Sequence, residues 1–301
     1  MSAVKIALGR QLFYEPALSS NGTLPCAECH QQQRGFTDGL PRHIGVSGDM
    51  GVRNVPGLAN VAWRTSLTWA DPTVTSLEKQ ALVPMTGEAP VEMGMHGQDA
   101  ELLRRLSSSD CYRAMFASAF PERKGRIDFQ TVAAALSAFQ RTIMSFDSSY
   151  DRFLRGDQAA LSPIARQGAA LFKQIGCTNC HSGQDLTDNK HHYVGTEDLS
   201  EACGYGRKEC DENDRPDTNF RTPSLRNVAV TGPWMHDGKS PSMDDAIRRH
   251  ASAALIDVEV APLIAFLKSQ TDEQFLRNPA LAKPAHGCAV PANLYQAARA
   301  D

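Results

Sequence analysis

Two short motifs carry the residues of this chain that are best suited to chemistry. Residues 26–30 read Cys-Ala-Glu-Cys-His and residues 177–181 read Cys-Thr-Asn-Cys-His. A Cys-x-x-Cys-His motif is the attachment pattern for c-type haem, in which both thiols bond to the porphyrin and the histidine binds iron. One copy would also fit a redox or zinc motif, but two copies predict two covalently bound haems. The predicted attachment and iron-binding residues are Cys26, Cys29, His30, Cys177, Cys180 and His181.

Each motif follows a segment with helical apolar spacing. Residues 4–13 precede the first motif and residues 164–172 precede the second, and each segment places a glycine before a Leu-Phe pair. This weak internal repeat predicts two related cytochrome c-like modules. Ser162 and Pro163 have the residue types that cap and open a helix, so the boundary falls just before them. We expect an N-terminal domain over 1–155 and a C-terminal domain over 156–301.

The rest of the sequence predicts a fold with few strands. Helical apolar spacing marks residues 100–106, 130–146, 242–250 and 257–269. Residues 182–222 are polar and rich in glycine, aspartate and histidine, which predicts long loops. The expected fold class is therefore mainly α, with two cytochrome c-like haem domains, long loops and little strand.

The composition and charge of the chain argue against nucleic-acid binding and against a membrane-spanning helix. The chain has 301 residues, a formal net charge of -3 and 42% apolar residues. This charge gives no indication of nucleic-acid binding, and no apolar stretch approaches the roughly 18 residues of a membrane helix. No secretory signal is visible at Met1. Because haem is attached to such motifs outside the bacterial cytoplasm, we expect the mature form of a periplasmic protein.

Four further cysteines lie outside the haem motifs. Cys111, Cys203, Cys210 and Cys288 allow three disulfide pairings, and the sequence does not choose among them. Cys203 and Cys210 flank a polar loop and could form a local disulfide, or all four could be free thiols. A disulfide would fit an oxidising compartment.

A family resemblance covers almost the whole chain in the correct order. Residues 220–228 (FRTPSLRNV) and 231–238 (TGPWMHDG) closely resemble the signature of the bacterial di-haem cytochrome c peroxidase and MauG family. Residues 8–13, 53–56 and 91–94 agree with the first half of that family. The resemblance implies that the N-terminal haem binds peroxide and that the C-terminal haem passes electrons.

The resemblance also implies a calcium ion and an aromatic residue between the haems. Asn54, Thr231 and Pro233 match the protein ligands of that calcium, and amide and carbonyl oxygens are ligands that Ca²⁺ prefers. Trp69 matches the tryptophan between the haems, which would let an electron hop from one iron to the other.

The peroxide pocket departs from the ordinary peroxidases of the family. Where those enzymes have a loop histidine that caps the iron at rest, this chain has Val46, which cannot bind iron. An open, five-coordinate iron is therefore expected, with His43 as the alternative cap.

The same resemblance identifies the residues of the pocket. Gln80 and Pro84 match residues that line it, and Glu92 matches the catalytic carboxylate, which moves a proton from the inner to the outer peroxide oxygen. Glu88 is a competing candidate for this role because the stretch from Pro84 to Glu92 is longer than in the family.

At the second haem, the family's sixth iron ligand lies fourteen residues after the histidine that corresponds to His236. Position 250 is a histidine here, so His181 and His250 are expected to form a bis-histidine iron site. Imidazole in place of methionine would lower the potential of that haem. His236 itself is expected to support a haem propionate.

Three functions are compatible with these patterns. The first is MauG-like oxidation of a tryptophan on a periplasmic partner protein by hydrogen peroxide, through a high-valent di-haem state. Residues 68–70 and 83–94 most resemble the MbnH-like branch of the family, whose partners are related to copper. The second is an ordinary cytochrome c peroxidase that takes electrons from a small cytochrome c. The third is a di-haem electron carrier without turnover, against which Glu92, Gln80 and the open iron argue.

Overall fold

The computed structural model describes residues 1–194, 219–250 and 260–288, together with 290, 291 and 294, except for the side chain of His250. Within these residues the chain forms eleven α-helices and two short strands, which confirms the mainly α fold class. The helices are α1 (Ala3–Phe13), α2 (Cys26–Cys29), α3 (Leu77–Thr86), α4 (Asp99–Ser107), α5 (Asp110–Ala119), α6 (Phe129–Gln140), α7 (Ser149–Leu154), α8 (Pro163–Gln174), α9 (Met243–His250), α10 (Ala261–Lys268) and α11 (Glu273–Arg277). None of them is long and apolar enough to span a membrane.

Two of the predicted segments differ from the structure in detail. The helix expected over 130–146 ends at Gln140, although the apolar stripe continues to Ile143, which is buried beyond the helix end. Within the expected loops of 182–222, strands β1 (His191–Tyr193) and β2 (Asn219–Arg221) pair antiparallel. Each strand has only three residues, so its pairing depends on neighbours distant in the sequence rather than on its own pattern.

The glycine of each repeat lies where two helices cross. In α1, a methyl group on Gly9 would lie 1.8 Å from the carbonyl oxygen of Ala135 in α6. In α8, a methyl group on Gly168 would lie 1.8 Å from the carbonyl oxygen of Pro262 in α10. Only glycine allows the backbones to approach so closely. The two halves of the chain therefore repeat one helix crossing.

The Leu-Phe pairs of the repeat bring each crossing to a haem motif. The ring of Phe13, at the end of α1, lies 6.4 Å from the ring of His30. The ring of Phe172, near the end of α8, lies 6.4 Å from the ring of His181. The phenylalanine of each repeat therefore lies near the histidine of the motif that follows it.

Two apolar cores correspond to the two modules, and the end of the described chain joins the first of them. Phe275, Leu281 and Cys288 belong to the N-terminal core. A disulfide links Cys288 to Cys111 of α5, so Cys111 is bonded to Cys288 and not to Cys203 or Cys210. Cys203 and Cys210 lie outside the described residues. The boundary between 1–155 and 156–301 stays a prediction.

Candidate haem and peroxide site

The first haem motif forms a single helical turn that presents its histidine. The backbone N–H of His30 donates to the carbonyl oxygen of Cys26 at 3.0 Å, which closes the turn. The Nδ1 atom of His30 lies 2.8 Å from the carbonyl oxygen of Phe36. This contact makes Nδ1 the donor, so Nε2 carries the lone pair that can bind a metal.

The second motif repeats this arrangement. The backbone N–H of His181 donates to Cys177 at 2.9 Å, and Nδ1 of His181 lies 3.1 Å from the carbonyl oxygen of Leu186. Phe36 and Leu186 both have positive φ angles, 65° and 51°. Each is followed by Thr-Asp, so the tripeptides 36–38 and 186–188 form a second repeat in the sequence, which was not among the predicted site residues.

The four thiols are not those of a redox dithiol. Burial raises the pKa of Cys26 to about 12, and burial also raises the pKa values of Cys29, Cys177 and Cys180. Redox-active Cys-x-x-Cys motifs instead lower the pKa of the attacking thiol. Neither pair therefore has the lowered thiol pKa that is typical of disulfide exchange.

A cavity of about 470 Å³ adjoins the second motif. This volume is typical of a ligand or cofactor site. Its apolar and motif residues include Phe172, Cys177, Cys180, His181, Trp234 and Leu263. Arg64 and Arg221 also line it; burial lowers their pKa values to about 9 and about 10, so both stay charged at neutral pH. Two cations beside an apolar cavity fit the carboxylates and flat ring of haem.

Trp69 connects the two halves at the edge of this cavity. Its indole Nε1–H donates to the carbonyl oxygen of Asn54 at 2.7 Å. Its own carbonyl oxygen accepts from the backbone N–H of Arg221 at 2.8 Å. The same cavity is lined by all three residues of the expected calcium site, Asn54, Thr231 and Pro233. The Nδ2 atom of Asn54 donates to the carbonyl oxygen of Leu40 at 2.9 Å, so the hard oxygen Oδ1 is the side-chain atom that could bind a cation.

His236 also lines the cavity, and only 4% of its surface is exposed. Its ring stacks on Phe220 with a centroid distance of 3.7 Å. Burial lowers the pKa of His236 to about 4 despite the opposing charge of Asp237, so the ring is neutral at neutral pH. A neutral imidazole at this place can donate one hydrogen bond to a cofactor carboxylate.

The residues expected around peroxide meet at the end of α3. Gln80 and Pro84 lie one turn apart on the same face of the helix. The carbonyl oxygen of Pro84 accepts from the backbone N–H of Met93 at 2.9 Å, which places Glu92 beside the helix end. Burial raises the pKa of Glu92, partly offset by the charge of His43.

Glu88, the competing carboxylate, is in a different environment. Its side chain is 71% exposed and lies 3.7 Å from that of His96, which is 61% exposed. A solvated carboxylate of this kind cannot control a proton inside a closed pocket, so burial favours Glu92.

The loop over Glu92 contains Val46 and begins after His43. The backbone N–H of Val46 donates to the carbonyl oxygen of Glu92 at 2.8 Å, and the Val46 side chain packs against the first core. The Nδ1 atom of His43 lies 3.3 Å from Oδ2 of Asp38. Asp38 was not among the residues that the sequence singled out.

Helix α9 carries the expected sixth ligand of the second haem. Three residues of this helix line the cavity, namely Met243, Ala246 and Ile247. The side chain of His250 itself lies outside the described residues.

Comparison with known proteins shows the family to which the chain belongs. The family model "Di-haem cytochrome c peroxidase" matches residues 3–159. A MauG protein of Methylorubrum extorquens is 38% identical over 80% of this chain and 66% of its own length. A cytochrome c peroxidase of Escherichia coli is 31% identical over 89% of this chain and 58% of its own length.

Solved structures give the same result. The structure of "a MauG-like protein associated with microbial copper homeostasis" is 37% identical, with a TM-score of 0.84 over 95% of this chain and 94% of that one. The di-haem peroxidase BthA from Burkholderia thailandensis shares the fold, with a TM-score of 0.71 over 96% of this chain and 91% of that one, at 21% identity. Family membership implies two haem groups. The chain thus belongs to the di-haem cytochrome c peroxidase and MauG family of haem enzymes.

Proposed function

We propose that this chain is a periplasmic c-type enzyme that uses hydrogen peroxide to oxidise a tryptophan on a partner protein. In this proposal, Cys26, Cys29 and His30 hold the haem that meets peroxide. Cys177, Cys180 and His181 hold the haem that passes electrons. The haems, when bound, supply the redox chemistry: two electrons leave the partner residue and one peroxide is reduced to two waters.

The observation that carries this proposal is the packing of Val46. Its side chain packs against the first core and its backbone N–H donates to the carbonyl oxygen of Glu92, so the position that matches the family's capping histidine offers no iron ligand. An iron without that cap can meet peroxide before any reduction. This supports direct reaction from the fully ferric state.

The proton chemistry is assigned to the end of α3. Glu92 takes the proton from the inner peroxide oxygen and returns it to the outer oxygen, so water leaves as the O–O bond breaks. Gln80 and Pro84, one turn apart on α3, are assigned to the lining of the pocket that would admit peroxide. The partly buried position of Glu92 supports this role, because the proton then stays within the pocket.

The electron path is assigned to the cavity between the halves. Trp69 offers an oxidisable indole there, and a calcium held by Asn54, Thr231 and Pro233 would fix the backbone around it. His250 is proposed as the second ligand of the iron bound by His181, and His236 as the support of a propionate.

The substrate assignment rests on the relatives. The MauG-like protein with the TM-score of 0.84 is associated with microbial copper homeostasis, which supports a partner protein of that kind for this chain. The second candidate is an ordinary cytochrome c peroxidase fed by a small cytochrome c. The match to the cytochrome c peroxidase of Escherichia coli supports that alternative.

The test is to mix the fully ferric protein with hydrogen peroxide, without prior reduction, and follow haem absorption by stopped flow. A rapid and long-lived change is the expected result. A protein that reacts only after one haem is reduced, and then oxidises a small cytochrome c, would contradict the proposal and favour the alternative.

A further inference from the structure

We propose that Phe275 of helix α11, in the C-terminal half of the chain, is a positioning residue for His30, the iron ligand of the first haem. Phe275 acts through Phe36, whose carbonyl oxygen accepts the hydrogen bond of that histidine. The inference rests on the proposed function, in which His30 binds the iron that meets peroxide.

Phe36 has a backbone conformation that large side chains rarely adopt. Its φ angle is 65°, in the left-handed region, where a bulky side chain is strained. Such a conformation persists only where the surrounding structure holds it in place. In this conformation the carbonyl oxygen of Phe36 lies 2.8 Å from Nδ1 of His30. The contacts that hold Phe36 therefore also hold the hydrogen bond of the histidine.

The loop that carries Phe36 is short and closed. The backbone N–H of Phe36 donates to the carbonyl oxygen of Gln31 at 2.9 Å, and the N–H of Gln31 donates to that of Thr37 at 3.0 Å. The loop begins directly after His30, so a change in its backbone acts at once on the histidine.

The ring of Phe36 packs against rings from both halves of the chain. It is fully buried, and its centroid lies 6.1 Å from that of Phe13 at the end of α1. The ring of Phe275 in α11 is closer, with a centroid distance of 5.6 Å. Both distances are in the range of favourable aromatic pairs. Phe275 is therefore the contact through which the C-terminal half holds Phe36.

Helix α11 is bonded directly to the loop of the first motif. Gln32, two residues after His30, donates through Nε2 to the carbonyl oxygens of Phe275 at 3.0 Å and of Asn278 at 2.9 Å. This side chain fixes the end of the helix on the same loop that carries Phe36.

The start of α11 is fixed by buried polar groups. Asp272, only 3% exposed, accepts the backbone N–H of Phe275 on Oδ1 at 3.0 Å. The backbone N–H of Asp272 donates to Oδ1 of Asn227 at 2.9 Å. With both ends held, the helix offers Phe275 as a rigid wall for the ring of Phe36.

The second motif has a different residue at this place. The carbonyl oxygen of Leu186 lies 3.1 Å from Nδ1 of His181, and leucine has no flat ring to pack in the same way. We therefore expect the effect of Phe275 to be limited to the first haem.

The hydrogen bond at Nδ1 changes the iron ligand. Donation to a carbonyl oxygen makes the imidazole more basic at Nε2, which strengthens the bond to iron and lowers the haem potential. Without the ring of Phe275, Phe36 is free to leave its strained φ angle, and its carbonyl oxygen turns away from His30.

The test compares the ferrous holoprotein with Phe275→Ala by resonance Raman spectroscopy. The first haem, with an open iron, gives an iron–histidine stretching band, while the second haem, with two protein ligands, gives none. We expect the band to move to lower frequency in Phe275→Ala. In a spectroelectrochemical titration the potential of the first haem should rise and that of the second should stay unchanged. The peroxide reaction should slow on the order of tenfold, as is typical when the outer partner of a metal ligand is lost.

Further variants separate positioning from packing. Phe116 is equally buried in the same core and stacks on Phe120, so Phe116→Ala should lower stability without moving the band. Phe275→Leu keeps most of the apolar volume and should fold even where Phe275→Ala does not; its band should move in the same direction by less. Phe36→Gly allows the φ angle without strain, so adding Phe275→Ala to it should not move the band further.

An unchanged band and potential in Phe275→Leu, with both haems attached, would overturn the inference. An equal shift in Phe116→Ala would do the same, because the band would then report a general loosening of the core. If the ferrous wild type shows no iron–histidine band, the open iron of the proposed function fails, and the potential of the first haem in the same variants still decides the role of Phe275.

Discussion

Trp69 donates its indole N–H to the backbone carbonyl oxygen of Asn54, and the two atoms lie 2.7 Å apart. Asn54 is also the residue whose side chain is proposed to bind calcium. The proposed electron path and the proposed calcium site would therefore share one backbone position, so that ordering the metal site would also fix the indole.

Trp69→Phe should separate electron transfer from haem binding. Phenylalanine keeps an aromatic ring but loses both the hydrogen bond, which contributes about 1 kcal/mol, and the easily oxidised indole. We expect both haems to remain attached, while oxidation of the second haem by peroxide slows strongly in stopped-flow absorption. A rate equal to that of the wild type would show that electrons take another path.

Glu92→Gln should slow the peroxide reaction by ~10²-fold or more, the usual contribution of general acid–base catalysis. Glu88→Gln is the matched control and should react normally, because Glu88 is exposed. Haem content measured on both variants excludes loss of the cofactor. Normal turnover in Glu92→Gln would move the catalytic role to Glu88.

The raised pKa of Glu92 predicts that the rate of the peroxide reaction depends on pH. Burial raises the pKa of Glu92 above its ordinary value of 4.5. As a base it must be ionised, so the rate should be full above the raised pKa and fall as the pH drops through it. Stopped-flow rates across the acidic range, with Glu92→Gln as the flat control, would measure this limb; a wild-type rate independent of pH there would contradict it.

The variant His250→Met tests whether His250 binds the iron of the second haem. Methionine ligation raises the haem potential relative to imidazole, so the low-potential haem should shift upward in a spectroelectrochemical titration, and its low-spin spectrum should change. An unchanged spectrum would show that His250 is not the ligand.

Gly168→Ala tests the helix crossing of the second module. The new methyl group would lie 1.8 Å from the carbonyl oxygen of Pro262, so α8 and α10 must move apart. We expect the free energy of unfolding to fall by about 1–3 kcal/mol. Gln167→Ala, at the exposed neighbouring position, should change it by less than about 0.5 kcal/mol. Equal denaturation midpoints for the two variants would argue against the close crossing.

The disulfide between Cys111 and Cys288 should stabilise the N-terminal core. Replacing both cysteines with serine should lower the free energy of unfolding by roughly 2–5 kcal/mol, with both haems retained. A reducing agent should destabilise the wild type and leave the variant unaffected. Identical melting of wild type and variant would mean that the bond contributes little.

Local patterns in the sequence account for the helices and the haem motifs. The apolar spacing of 4–13 and 164–172 predicts α1 and α8, and the Cys-x-x-Cys-His motifs place each histidine after one helical turn. These features depend on neighbours within about one turn, so they can be read from adjacent residues. The family signature then named Glu92 and Trp69, whose roles stay predictions.

Contacts between distant segments could not be predicted from the sequence and are seen only in the tertiary structure. The pairing of Cys111 with Cys288, the strand pair β1 and β2, and the return of residues 275–288 to the first core each join parts of the chain that share no local pattern. The link between Asp38 and His43 was also missed, because an aspartate near a histidine is common in loops and only burial distinguishes this pair. Adjacent residues were therefore enough to predict the cofactor motifs and most of the helices. The packing of distant segments, which no local pattern encodes, sets which side chains are buried together.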